Sequence, residues 1–156
     1  MSEIRSILAA TDLSAPARRA VDRAAGLAQS ASASLALVHV VSSFALDNVR
    51  RWLDIGSDPG QSIVDHVHAS LRDVSSELTR HYGATATEYV RTGRAVDELA
   101  RVADEVKADV VVTGTLGAGF LRRRVIGSTA ERIVRKSTRP VLMVRQSPRG
   151  PFGAYW

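Results

Sequence analysis

ADVVVTGTLGAGFLRRRVIGST, residues 108–129, decides how the chain is read. Its first six residues are an apolar, β-branched run with the character of a buried strand. Its last residues lead into Ala130–Lys136, which has helical spacing. Between them, Gly114–Thr129 holds four glycines and the arginines Arg122–Arg124. A long, glycine-rich, basic connection from a strand end to a helix start is costly to order, and such loops carry function. Glycines let backbone N–H groups approach an anion, and a helix N-terminus favours negative charge. Phosphate suits these residue types. The stretch is not a Walker loop, because no lysine precedes Ser128. Nor is it G-x-G-x-x-G, because Arg122 stands where the third glycine would be. Ser128-Thr-Ala-Glu131 matches a capping box, so Ser128 reads as a helix cap, a phosphate contact, or both in turn.

Outward from this stretch, strands and helices alternate. Ile4–Thr11 reads as strand one, and Ser14 and Pro16 suit the start of a helix whose apolar face is Ala17, Ala20, Val21, Ala24, Leu27 and Ala28. Leu35–Val41 is strand two. Leu46, Val49 and Leu53 suggest a short helix, and residues 56–60 a turn cluster. Ile63, Val67, Leu71, Val74 and Leu78 mark a long helix. Thr85–Arg91 is strand three, broken at Gly93, and Val96 to Val106 is again helical. Asp109–Thr113 is strand four and Pro140–Arg145 strand five. This order predicts an α/β fold with an open parallel sheet between two helical layers. Ligands of such sheets bind beyond the carboxyl ends of the strands, where strand order reverses. With strands one and four as neighbours, the crevice lies between Thr11-Asp12 and the Gly114–Ser128 loop.

The 156 residues suggest one domain with a real core, and the absence of cysteine excludes disulfides, thiolate metal sites and cysteine nucleophiles. The apolar run near the N-terminus is only Ile7–Ala10, too short for a signal peptide or a membrane span, so a cytoplasmic protein is expected. A net charge of +5 favours anionic partners but is equally that of many proteins with none.

The chain resembles the universal stress protein family. The nucleotide-binding members carry G-x2-G-x9-G-[ST] after the fourth strand, matched here by Gly114, Gly117, Gly127 and Ser128. Strand one ends in Ala10-Thr11-Asp12, strand two contains Leu-Val-His-Val (37–40), and strand five lies within Arg-Pro-Val-Leu-Met-Val-Arg (139–145). The resemblance spans about residues 3–146. It implies the adenine nucleotide alpha hydrolase-like fold, a three-layer αβα sandwich whose open five-stranded parallel sheet has strand order 3-2-1-4-5. It also implies ATP in the crevice with Mg²⁺ as companion ion. By position, Ala10, Thr11, Asp12 and Val40 would border adenine and ribose, Thr113 and Gly114 would approach the ribose, and Gly117, Gly127, Ser128 and Thr129 would hold phosphates. Residues 1–146 would be the universal stress protein domain and 147–156 a Pro/Gly/aromatic tail.

Arg122–Arg124 read as a lid over the phosphates or as a solvated loop, with nucleic acid disfavoured because no aromatic residue interleaves. Asp12 reads as a general base or as a residue that turns the loop. His66 and His68, two apart on a helix, face different ways and do not make a metal site, while His39 reads as core packing. The expected function is a nucleotide-responsive regulatory or protective module, a homodimer pairing through strand five. A slow ATPase or nucleotidyl-transferring enzyme, and a partner-binding scaffold without ATP dependence, stand as alternatives. Phe152, Tyr155 and Trp156 of the tail would cover apolar surface in the dimer or remain disordered.

Overall fold

The computed structural model describes residues 3–52, 59–115 and 126–145. Five strands, β1 (Ser6–Ala10), β2 (Ser34–Ser42), β3 (Ala86–Gly93), β4 (Val110–Gly114) and β5 (Val141–Val144), form one sheet in the order β3-β2-β1-β4-β5, all pairs parallel. The helices are α1 (Ala15–Ala31), α2 (Ser43–Trp52), α3 (Pro59–Tyr82), α4 (Ala95–Glu105) and α5 (Ser128–Lys136). This is the expected αβα sandwich with strand order 3-2-1-4-5.

Strand side chains alternate between the two faces, and the core divides accordingly. Ile7, Ala9, Leu35, Leu37 and Val112 pack with Ala20, Val21 and Ala24 of α1 and Leu71 and Leu78 of α3. Leu8, Ala36, Val38 and Val111 pack on the other face with Leu99 and Val102 of α4 and Ile133 of α5. Apart from Val21, the buried residues of α1 are alanines, which let that helix lie close against the centre of the sheet. At the amino-terminal ends of β1 and β4 the Asp109 carboxylate accepts the Arg5 and Ser6 N–H groups at 2.8 and 2.9 Å. Those two bonds hold its pKa below the ordinary carboxylate value and tie the start of β4 to β1.

Several element boundaries differ from the sequence reading, and β3 includes Gly93, where a break was expected. Pro59 and Gly60 of the expected turn cluster open helix α3 instead. Proline suits a first helical turn because its missing N–H would have had no helical partner anyway. Strand one stops at Ala10 rather than Thr11, and α5 starts at Ser128 rather than Ala130. Residues 116–125, with Gly117 and Arg122–Arg124, and the tail from residue 146 onward lie outside the described residues.

Candidate nucleotide-binding crevice

At the carboxyl ends of β1 and β4 the sheet opens into a crevice of about 380 Å³, within the range of small-molecule sites. Nine residues expected at a ligand site border it: Ala10, Thr11, Asp12, Val40, Thr113, Gly114, Gly127, Ser128 and Thr129. The tenth, Gly117, lies outside the described residues. Sequence reasoning missed the apolar wall, to which Val38, Ala95, Leu99 and Ile133 contribute. Val38 was within reach, since it shares a strand face with Val40. Leu99 and Ile133 come from helices whose placement only the packed fold reveals.

One side of the crevice is the turn from β1 into α1. The Thr11 N–H donates to the Val38 carbonyl at 3.0 Å, and its hydroxyl oxygen accepts the Leu13 N–H at 3.0 Å. Leu13 has φ +63°, a sparsely populated conformation for a bulky side chain. Asp12 Oδ1 accepts the Ser14 N–H at 3.0 Å and also the Ser14 hydroxyl. Asp12 therefore orders the turn, one of the two roles its sequence context allows. The Ser14 hydroxyl oxygen in turn accepts the Ala17 N–H and caps α1.

The opposite side is the N-terminus of α5. Gly127 is buried, donates its N–H to the Thr115 carbonyl at 2.8 Å, and is itself the N-cap. That bond closes the base of the loop between β4 and α5. The capping box expected at Ser128 and Glu131 does not form. Ser128 is the first helical residue, its side chain is one position too late to cap, and the Glu131 carboxylate pairs with Arg135 at 2.7 Å. Among the described residues, no acceptor meets the N–H groups of Ser128, Thr129 and Ala130. Of the helix starts near the crevice, α1 is capped by Ser14, whereas neither α4 nor α5 has a side-chain cap, and each carries acid in its first turn, Asp97 and Glu98 on α4 and Glu131 on α5. The Glu131 carboxylate pairs with Arg135, and the backbone donors and positive dipole end of α5 open on the crevice at Ser128, Thr129 and Ala130.

His39 departs from the core-packing reading. It is half-buried, and its ring Nδ1 lies 3.0 Å from the Thr11 carbonyl oxygen. A carbonyl only accepts, so Nδ1 carries the proton and the neutral ring leaves Nε2 bare. Burial lowers the His39 pKa from its ordinary value of 6.5, opposed by the Thr11 hydrogen bond and the nearby Asp12 charge. A depressed folded-state pKa means that the unfolded chain binds more protons as pH falls, so stability is lost in that direction. Urea melts between about pH 5 and 8 should show this contribution complete above 6.5 and declining below it. The acid-side loss should be smaller in His39→Asn than in the wild type. Parallel stability curves for the two proteins would show that His39 does not titrate in this way.

His66 and His68 are exposed on α3, and among the described residues no group of three His, Cys, Asp or Glu side chains is placed to hold a metal ion. No described helix is long and apolar enough to cross a membrane.

The model of the universal stress protein family matches residues 3–145. A universal stress protein of Mycobacterium tuberculosis is 30% identical over 146 residues, spanning 92% of this chain and 98% of its own length. A solved universal stress protein in complex with cAMP is 28% identical with a TM-score of 0.68, covering 94% of this chain and 100% of that one. The universal stress protein from Archaeoglobus fulgidus in complex with dAMP shares the fold, with a TM-score of 0.64 at 23% identity over 92% of this chain and 98% of its own.

Proposed function

The chain belongs to the universal stress protein family, and from that premise we propose that it binds an adenine nucleotide, ATP with Mg²⁺, as a cytoplasmic, nucleotide-responsive regulatory or protective module. The observation that carries this reading is the pairing of two surfaces in one crevice. An apolar wall of Val38, Val40 and Leu99 suits a flat base, and the uncapped N-terminus of α5 suits phosphate. The relative in complex with cAMP supports an adenine-containing ligand.

The residues fit the nucleotide better than they fit an independently held metal. Asp12 is the one carboxylate among the described lining residues, and its Oδ1 is engaged by Ser14. Mg²⁺ would therefore arrive with the phosphates, and Asp12 is the protein group able to help hold it; the ion supplies charge neutralisation. Calorimetry with ATP, ADP, AMP and cAMP, with and without Mg²⁺, tests the proposal, together with mass spectrometry of natively purified protein. No binding of any of the four at about millimolar concentration, a weak-ligand affinity, would overturn it.

Turnover is expected to be slow. The glycine motif lacks a phosphate-gripping lysine, and the carboxylate nearest the crevice is committed to its own turn. A steady-state assay should give less than about 1 s⁻¹, the lower end of ordinary enzymes. A faster rate would favour the enzyme reading.

We further propose a homodimer that pairs through β5. That strand is an edge of the sheet, only four residues long, and Leu142 on it is 38% exposed.

A further inference from the structure

The backbone groups of β2 alternate in direction along the strand. Ser34 donates to the Arg5 carbonyl and Val38 accepts from the Thr11 N–H, so the even residues of β2 turn their N–H and C=O towards β1. Val40 is the next even residue, and the strand beside it has ended, since the β1–β2 register stops at Ala10 opposite Val38. Continuation of the ladder would place the Thr11 carbonyl on the Val40 N–H. That bond is absent, and no described acceptor meets the Val40 N–H. The Thr11 carbonyl instead accepts from His39 Nδ1. His39 lies on the sheet face opposite Val40, so it draws the carbonyl from the side away from the ligand.

We propose that His39 is a positioning residue of the crevice: by holding the Thr11 carbonyl it keeps the Val40 N–H out of the β1–β2 ladder and open to the edge of a purine base. This rests on the adenine-nucleotide reading for the identity of the base. The Val40 N–H and C=O, side by side on a crevice wall, offer one donor and one acceptor. The pairing edge of adenine presents the complement, an acceptor at N1 and a donor at N6. Inosine reverses N1 to a donor and replaces the 6-amino group by an acceptor. The open Val40 pair therefore selects adenine over hypoxanthine, and His39 maintains that selection without touching the ligand.

Amide hydrogen exchange on the ligand-free wild type tests the positioning directly. The Val40 amide should exchange about a hundredfold faster than that of Val38, which sits within the ladder. In His39→Leu the released carbonyl should return to Val40 and protect its amide, while His39→Asn, which keeps a donor near the Nδ1 position, should behave as wild type. By calorimetry, His39→Leu should bind ATP about tenfold more weakly, the size of one lost hydrogen bond, with a reduced preference for ATP over inosine triphosphate. His39→Asn should restore both. A protected Val40 amide in the wild type overturns the proposal and requires no variant to fold. So does His39→Leu with an open Val40 amide or with undiminished preference for ATP. A wild type that binds neither nucleotide overturns the ligand reading instead, and the exchange data then judge the role of His39 alone.

Discussion

Gly127→Val is expected to weaken ATP binding at least a hundredfold, about 2.8 kcal/mol, with a stability cost of no more than about 1 kcal/mol. The two effects separate because of the backbone conformation at this position. Gly127 has φ −61° and ψ 148°, a region open to every L-residue, so valine there is not strained by its dihedrals. Valine there instead adds bulk on the crevice wall. Gly127 is buried on the crevice wall, immediately before the open N–H groups of Ser128, Thr129 and Ala130. A branched side chain at the N-cap stands beside the donors that phosphate needs. Gly127→Asp sharpens the test, since its carboxylate can cap α5 in the free protein and repel phosphate in the complex. That variant should be at least as stable as wild type in a thermal melt and bind ATP no better than Gly127→Val. Equal ATP affinity in calorimetry for wild type and Gly127→Val would remove Gly127 from the phosphate site.

The second large effect is expected at the sheet edge. Pro140 and Val144 direct their carbonyls to β4, where they accept from Val111 and Thr115. Val141 and Met143 therefore direct their N–H and C=O groups outward. An apolar edge left open in this way is a template for another strand, and natural proteins cover such edges. Two copies related by a two-fold axis satisfy each other by antiparallel pairing. Replacing Val141 and Met143 together by proline removes two outward donors per protomer and spares the ladder to β4. Four lost bonds at about 1 kcal/mol each correspond to roughly a thousandfold weaker dimer. Light scattering should show dimeric wild type and monomeric variant at micromolar concentration. A monomeric wild type would sink the edge-pairing proposal. A chain ending at Gln146 that dimerises as well as the full chain would exclude the aromatic tail from it.

Hydrophobic periodicity makes the elements legible in the chain itself. Ala17 to Ala28 repeats every three to four residues and becomes α1, while Leu35–Val41 is apolar but for His39 and becomes the core of β2, buried on both faces from Leu35 to Val38. The glycine-rich stretch placed a ligand loop between β4 and α5, and its described ends do stand on the crevice. Local chemistry misled where one dipeptide or tetrapeptide supports two structures. Pro59-Gly60 reads as a turn yet starts α3, and Ser128–Glu131 reads as a capping box yet begins one residue inside its helix. Those choices turn on where the chain enters the helix, which neighbouring elements settle.

The sequence by itself determined the alternation of strands and helices, the faces they bury and the residue types that gather at the strand ends, because side-chain periodicity is a local property of the chain. Only the tertiary structure decided which backbone groups are left without partners. The open N–H of Val40 exists because β1 stops at Ala10 while β2 runs on to Ser42, and because a histidine 28 residues from Thr11 takes the carbonyl that would have closed the ladder. Every non-proline residue carries the same N–H and C=O groups, so the pairing of these groups is written in no single segment. It follows from where adjacent strands end relative to one another.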